Sequence, residues 1–380
     1  MITETWKITV AALVLVCFTS CNIAAGSYDL AVAVRKLGQI DLVRGEMGKG
    51  RAAHTATLLN DGRVLIVGGM KYGGGSIAEV EIFDTSTMTF SMTGKLAVAR
   101  AGHTATLLRN GKVLVAGGYN GDYLQTSEIY DPKTSQFEPG PQLALPRSEH
   151  TATILPDGTV LLVGGVGTGW TFLSEAEIFN PKTAKFTATG SMAVPRESHT
   201  STLLQNGKVL ITGGHKDRRA AITIYSSTEL YDPARRAFES GPEMTIRRHK
   251  HDAVQLKDDR VMVTGGSDER DSRGAYTSIE VFDPKENRFS KIGDLGNARY
   301  KLNGAVTVLD DGKILIAGGA DRAEVFDAAK RTTQIVTGSF GSRRLFATAT
   351  RLKNGQVLIT GGYDDVQQVS QRAWIYRDKV

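Results

Sequence analysis

The sequence predicts an all-β fold: a seven-bladed β-propeller, four antiparallel strands per blade, its last blade closed by an N-terminal strand. Two observations lead there. Gly-Gly pairs stand at 68–69, 117–118, 164–165, 213–214, 265–266, 318–319 and 361–362, a period near 50 residues that belongs to repeat architectures. Around these pairs the same signals recur: strand-forming runs, a tight turn and, in five units, a second aromatic at a fixed spacing. At 380 residues the chain exceeds what one compact core usually holds, and growth by repetition accounts for the length.

Each unit yields four strands, a to d. Strand a is a His-Thr-Ala-Thr-Leu-Leu type run such as residues 54–59. A turn follows, Asn60-Asp61-Gly62 in the first unit and Arg109-Asn110-Gly111 in the second. Such Asn-Gly and Asp-Gly steps supply the positive φ angles of two-residue hairpins. The fifth unit substitutes Asp258-Asp259-Arg260, which takes that conformation less readily. Strand b is a short apolar run, 64–67 or 113–116, without polar alternation, as expected of a strand buried on both faces. The Gly-Gly pair ends it, and its bare backbone lets neighbouring strands approach closely. No helix follows these glycines and no Gly-x-Gly-x-x-Gly occurs, so a phosphate loop is excluded. Strand c is the Glu128-Ile129-Tyr130-Asp131 type, followed by Pro in four units, which opens a type I turn. Seven residues after the strand-c aromatic stands another, Phe90, Phe137, Phe186, Phe238 or Phe289, marking strand d.

The seventh unit stops at Trp374-Ile375-Tyr376-Arg377, its strand c, while residues 36–44 form a spare strand before the first unit. That strand is expected to complete the last blade and remove the open edge.

With their apolar run, Gly-Gly pair, loop and paired aromatic, the units resemble the kelch family over roughly residues 36–380; the second aromatic, usually Trp in kelch repeats, is Phe here. The resemblance implies the propeller and leaves function open. Kelch propellers include copper-radical galactose oxidases, which depend on a Tyr crosslinked to Cys. Both cysteines here, Cys17 and Cys21, lie at the start of the chain, so that chemistry is excluded. Sialic-acid mutarotases also use kelch repeats and supply the enzymatic alternative. No zinc-protease, nucleophile-elbow or Walker motif is present. No catalytic residue, cofactor or metal is assigned.

Residues 1–20 resemble a secretory signal, with an apolar run over 8–18 too short to span a bilayer. Phe18-Thr19-Ser20-Cys21 resembles the lipobox of bacterial lipoproteins, which implies lipidation of Cys21, a tether over 21–35, and an exported protein anchored in the bacterial cell envelope, at the outer membrane or cell surface. The net charge of +6 permits an anionic partner without requiring one. Nucleic acid is not expected as a partner, and a monomer is.

The d–a and b–c connections share one face of a propeller, and the b–c loops vary most here, where binding usually resides. Three features fall on that face. The Arg-x-x-His signature of five units (Arg51/His54 to Arg248/His251) reads as scaffold, its Arg facing the strand-c Glu; the sixth and seventh units break it with Lys301/Gly304 and Arg344/Ala347. A basic cluster, His215, Lys216, Arg218 and Arg219 with Arg247, Arg248 and His249, offers bidentate anion contacts. Loop aromatics, Tyr119, Tyr123, Trp170 and Tyr363 above all, together with Tyr72 and Phe172, offer stacking surfaces. The sequence thus favours a lipid-anchored propeller that binds an envelope protein or glycan, the alternative being a carbohydrate-active, mutarotase-like enzyme on the same scaffold.

Overall fold

The structure, a computed structural model, describes residues 38–378. The signal segment, Cys21 and the whole of the tether lie outside the described residues.

Seven four-stranded antiparallel sheets follow one another. Blade 1 comprises strand a Thr55–Leu58, b Val64–Val67, c Glu79–Asp84 and d Thr89–Lys95. Blades 2 to 6 repeat the a-b-c-d order, their b strands being Val113–Ala116, Val160–Val163, Val209–Thr212, Val261–Ser267 and Ile314–Ile316. Blade 7 takes a, b and c from Leu345–Arg351, Val357–Tyr363 and Ala373–Arg377, and its outer strand from Gln39–Leu42. The register of that closure runs from Gln39 opposite Arg377 to Leu42 opposite Trp374. The N-terminal strand also reaches blade 6, where the Ile40 N–H donates to Thr337 O at 2.9 Å.

Strand b is apolar throughout because its two faces meet two different neighbours. Leu65 and Val67 pack with Val113, Val115 and Tyr130 between blades 1 and 2. Leu114 and Ala116 pack with Val160, Leu162 and Phe179 between blades 2 and 3. The strand-c and strand-d aromatics stand directly opposite in the ladder, with centroids 4.8 Å apart for Phe83–Phe90 and 5.2 Å for Phe282–Phe289, the cross-strand pairing that stabilises a sheet edge.

The a–b turns differ in detail from the two-residue hairpin expected. Leu59 N–H donates to Arg63 O and Gly62 N–H to Leu59 O, the three-residue loop that ends in one left-handed residue. Only that residue needs a positive φ, 93° at Gly62. Asp259 fills the same position in blade 5 with φ 74°, and its carboxylate accepts from Gln205 N–H and the Gln255 amide. Those two bonds hold the left-handed conformation that glycine adopts without help.

Candidate functional site

The repeated polar residues form the frame. In six blades a fully buried Arg sits beside the strand-c Glu. Arg51–Glu81, Arg100–Glu128, Arg147–Glu177, Arg196–Glu229, Arg248–Glu280 and Arg299–Glu324 are 2.5–2.9 Å apart. The same Arg donates to the carbonyl of the first Gly of its own blade's pair, as Arg100 Nη1 does to Gly117 O at 2.7 Å. The second Glu oxygen accepts a backbone N–H from the crossover entering the blade, Ala97 for Glu128 and Ala144 for Glu177. Burial pulls each of these Arg below its ordinary value, and the partner Glu opposes that. Gly-Gly is required because the next blade lies against it: Gly69 N–H donates to Arg100 O at 2.9 Å, and a Cβ on Gly68 would stand 2.5 Å from that oxygen.

The histidines are rivets between blades. His103 Nε2 meets Thr55 Oγ1 at 3.1 Å, His150 meets Thr104 at 3.0 Å and His199 meets Thr151 at 3.0 Å. Burial, with Arg100 and Arg196 nearby, pushes His103 and His199 down to about 3, so they work as neutral hydrogen-bonding groups. The sixth unit keeps its arginine after all. It is Arg299, two residues before Lys301, and Leu302 replaces the histidine. The missing rivet is supplied from the other side, where Asp252 Oδ2 accepts the N–H of Ala305 and of Val306 at 3.1 Å. In blade 7 Trp374 stands where the other blades have Glu, and the Arg344 guanidinium lies 5.3 Å from its ring, a cation–π contact in place of an ion pair.

Within this frame one position varies from blade to blade, with six residue types over seven blades. The residue two after each Arg is Ala53, Gly102, Glu149, Ser198, Lys250, Lys301 and Phe346, all with φ between 48° and 61°. In five of the seven the left-handed turn aims the main chain at the preceding blade: Gly102 N–H donates to Ala53 O, Glu149 to Gly102, Lys250 to Ser198, Phe346 to Lys301 and Ala53 to Phe346. The result is a largely backbone-bonded girdle, in which Lys250 and Lys301 also reach Asp271 and the Tyr363 hydroxyl with their side chains. Ala53, Gly102, Glu149 and Phe346 line two spaces at once, a central channel of about 600 Å³ and a cleft of about 570 Å³.

That cleft is walled by loop aromatics. Tyr119 and Tyr123 meet edge-on at 5.3 Å, Tyr123 and Trp170 at 6.1 Å. Trp170 is 59 % exposed and Tyr119 42 %. Arg218 lies 4.9 Å from the Trp170 ring and 5.3 Å from Phe172, and its Nη1 is 2.5 Å from Glu197 Oε1. Behind this pair His215 Nε2 is 3.1 Å from Glu197, and His215 Nδ1 is 3.0 Å from His249 Nδ1.

Two family models match the sequence. The KLHDC2/KLHL20/DRC7 Kelch-repeats domain covers residues 30–214, and the β-propeller of tRNA wybutosine-synthesizing protein 4 covers residues 141–343. The chain belongs to the kelch-repeat β-propellers that these models describe. No curated protein matches it. Among solved structures, this kelch propeller is similar in fold to a fungal alcohol oxidase of the AA5 family in complex with copper, at 14 % identity and a TM-score of 0.69, over 91 % of this chain and 76 % of that one. Its own residues do not fit such a centre. No cysteine follows Cys21, and the described residues contain no group of three or more His, Cys, Asp or Glu placed to hold a metal ion.

Of the ligand residues expected from sequence, the kelch propeller brings Tyr119, Tyr123, Trp170 and Arg218 into one cleft. It corrects three. Arg248 is fully buried against Glu280 as a frame residue, and His215 and His249 are buried behind Arg218. Part of the basic cluster is also compensated, Arg218 by Glu197 and Arg247 by Glu269 at 2.9 Å. Lys216, Arg219 and Tyr363 lie outside the cleft lining, and Tyr363 Oη instead accepts from Lys301 Nζ at 2.6 Å. The sequence reading missed Glu149, Glu197 and Phe346. Their signal was present: the second and third residues of Arg-x-x-His vary while the ends repeat.

Glu149 has a measurable consequence. Burial, then Glu197, push its carboxyl from 4.5 up to about 7, while Lys250, Arg218 and Lys301 oppose the shift. The unfolded chain therefore ionises Glu149 first, and stability falls as pH rises through that window. Glu149→Gln should raise stability by about 2 kcal/mol at pH 8 and leave it unchanged at pH 4 in urea unfolding. An equal effect at both pH values would refute this.

Proposed function

We propose that this kelch propeller is a binding module of the bacterial cell envelope, held there by a lipid on Cys21, that takes a glycan in the cleft at the mouth of its channel. The observation carrying this reading is the aromatic wall of Tyr119, Tyr123 and Trp170 over a 570 Å³ space on the variable-loop face. Aromatic faces match the apolar C–H faces of sugar rings, and a concave site with few polar groups is the usual form of a small-ligand pocket. A protein partner would meet the same loops.

The test is a glycan array on the full chain followed by calorimetry on the best binder. Trp170→Ala should weaken binding by about tenfold or more, as expected on losing a stacking platform. Full affinity in that variant would end the cleft reading. Glu149 at the cleft floor supports the second reading, a carbohydrate-active enzyme, because an acid near 7 suits proton transfer. Recovery of chemically altered sugar from the complex by NMR would favour that second reading.

A further inference from the structure

One charged group in the cleft has no partner. Two charged side chains line it, Arg218 and Glu149. Arg218 is already matched, its guanidinium 2.5 Å from the Glu197 carboxylate and stacked on Trp170. Glu149 is not: among the described residues no hydrogen bond or ion pair holds its carboxyl group, and its backbone N–H is fixed at 2.9 Å from Gly102 O. Of the nearby amines, Lys250 is neutralised by Asp271 at 2.6 Å, while Lys301 keeps its charge and donates to the Tyr363 hydroxyl; neither lines the cleft or bonds to Glu149. A carboxylate out of bulk water and without a counter-charge is costly to ionise, in accord with its upward shift to about 7. A bound cation supplies what the fold omits. The rim, meanwhile, is open: a Cβ on Gly74 or Gly121 would meet nothing within 4 Å, so a chain of linked units can run out of the cleft.

Resting on the glycan reading above, we propose that the cleft selects a saccharide carrying a protonated amine, with the ammonium group against the Glu149 carboxylate and the sugar faces against Trp170 and the two tyrosines. This departs from the anionic partner that the basic cluster permitted, because Arg218, Arg247 and Arg248 each pair with a carboxylate of the chain.

The experiment titrates the full chain at pH 7 by calorimetry with three tetrasaccharides: β-1,4-linked glucosamine, its N-acetylated counterpart and galacturonate. The amine form should bind about tenfold more tightly than the acetylated form, the scale of a charge-assisted hydrogen bond in a partly dry site. Glu149→Gln, isosteric and uncharged, should bring the two within about twofold. Trp170→Ala should weaken both together. Equal or tighter binding of the acetylated or acidic oligomer overturns the proposal, as does an amine preference that survives in Glu149→Gln. Loss of binding in Trp170→Ala combined with either result leaves the cleft reading standing and removes only the cation. Binding of none of the three, or binding indifferent to Trp170→Ala, removes both.

Discussion

Removing Gln39–Leu42 should abolish a single cooperative unfolding transition, or lower stability by more than about 4 kcal/mol if one persists. The strand completes blade 7 through a four-residue ladder and buries Ile40 against Val336, Phe340, Trp374 and Tyr376. Val43, just beyond it, packs with Ile375 and Val64 of blade 1. Without the strand, the outer edge of Ala373–Arg377 is left unpaired and one of the seven junctions opens. An exposed edge of this kind promotes association, so the truncated protein should also sediment as aggregate. Chemical denaturation followed by fluorescence and by circular dichroism checks the first expectation. A truncated protein with the full midpoint and one coincident transition would show that the ring closes without this strand.

The second large effect concerns a buried charge. Glu177→Ala leaves Arg147, fully buried, without the carboxylate 2.7 Å away, and leaves the Ala144 N–H without its acceptor at 2.6 Å. Removing one partner of such a pair strands the other charge in a low-dielectric site, which costs about 3–5 kcal/mol. Blade 7 supplies the internal control. Arg344 has no carboxylate in its frame position and rests on Trp374, so Arg344→Ala should cost only about 1–2 kcal/mol, the worth of packing and a cation–π contact. Denaturant midpoints for the two variants decide the matter, and equal losses would mean that the ion pair adds nothing beyond volume.

The fold was legible in the sequence because its signals repeat, and repetition averages out local ambiguity. One Asn-Gly step is weak; six turn signals in phase with seven Gly-Gly pairs leave little else. Even so, the turn type was misread, because Asn-Gly serves both two- and three-residue hairpins and only the hydrogen bonds from Leu59 and Gly62 distinguish them. The site was half legible. Tyr119, Tyr123, Trp170 and Arg218 stand in loops that no other unit copies, and the fold brings them into one cleft. Arg248 and His249 were misplaced because a run of basic residues, Arg247 to His251, reads as one patch, whereas the backbone turns every side chain differently and buries three of the five. Glu149 was overlooked for a subtler reason. It sits inside the most regular motif of the chain, where regularity was taken as scaffold, yet the side-chain contacts that recur from blade to blade are made by the ends of Arg-x-x-His.

The girdle of left-handed residues bears on how such a protein changes over time. Five of its seven positions are tied to the preceding one through main-chain atoms, so a substitution there alters what faces the channel mouth without touching the Arg, Gly-Gly or Glu that hold the blades. Shape and specificity are thereby written in separate alphabets. A descendant could trade an ammonium-binding carboxylate for a hydroxyl or an aromatic ring in one step, and a designer could do the same by varying seven codons while the other residues of the ring stay as they are.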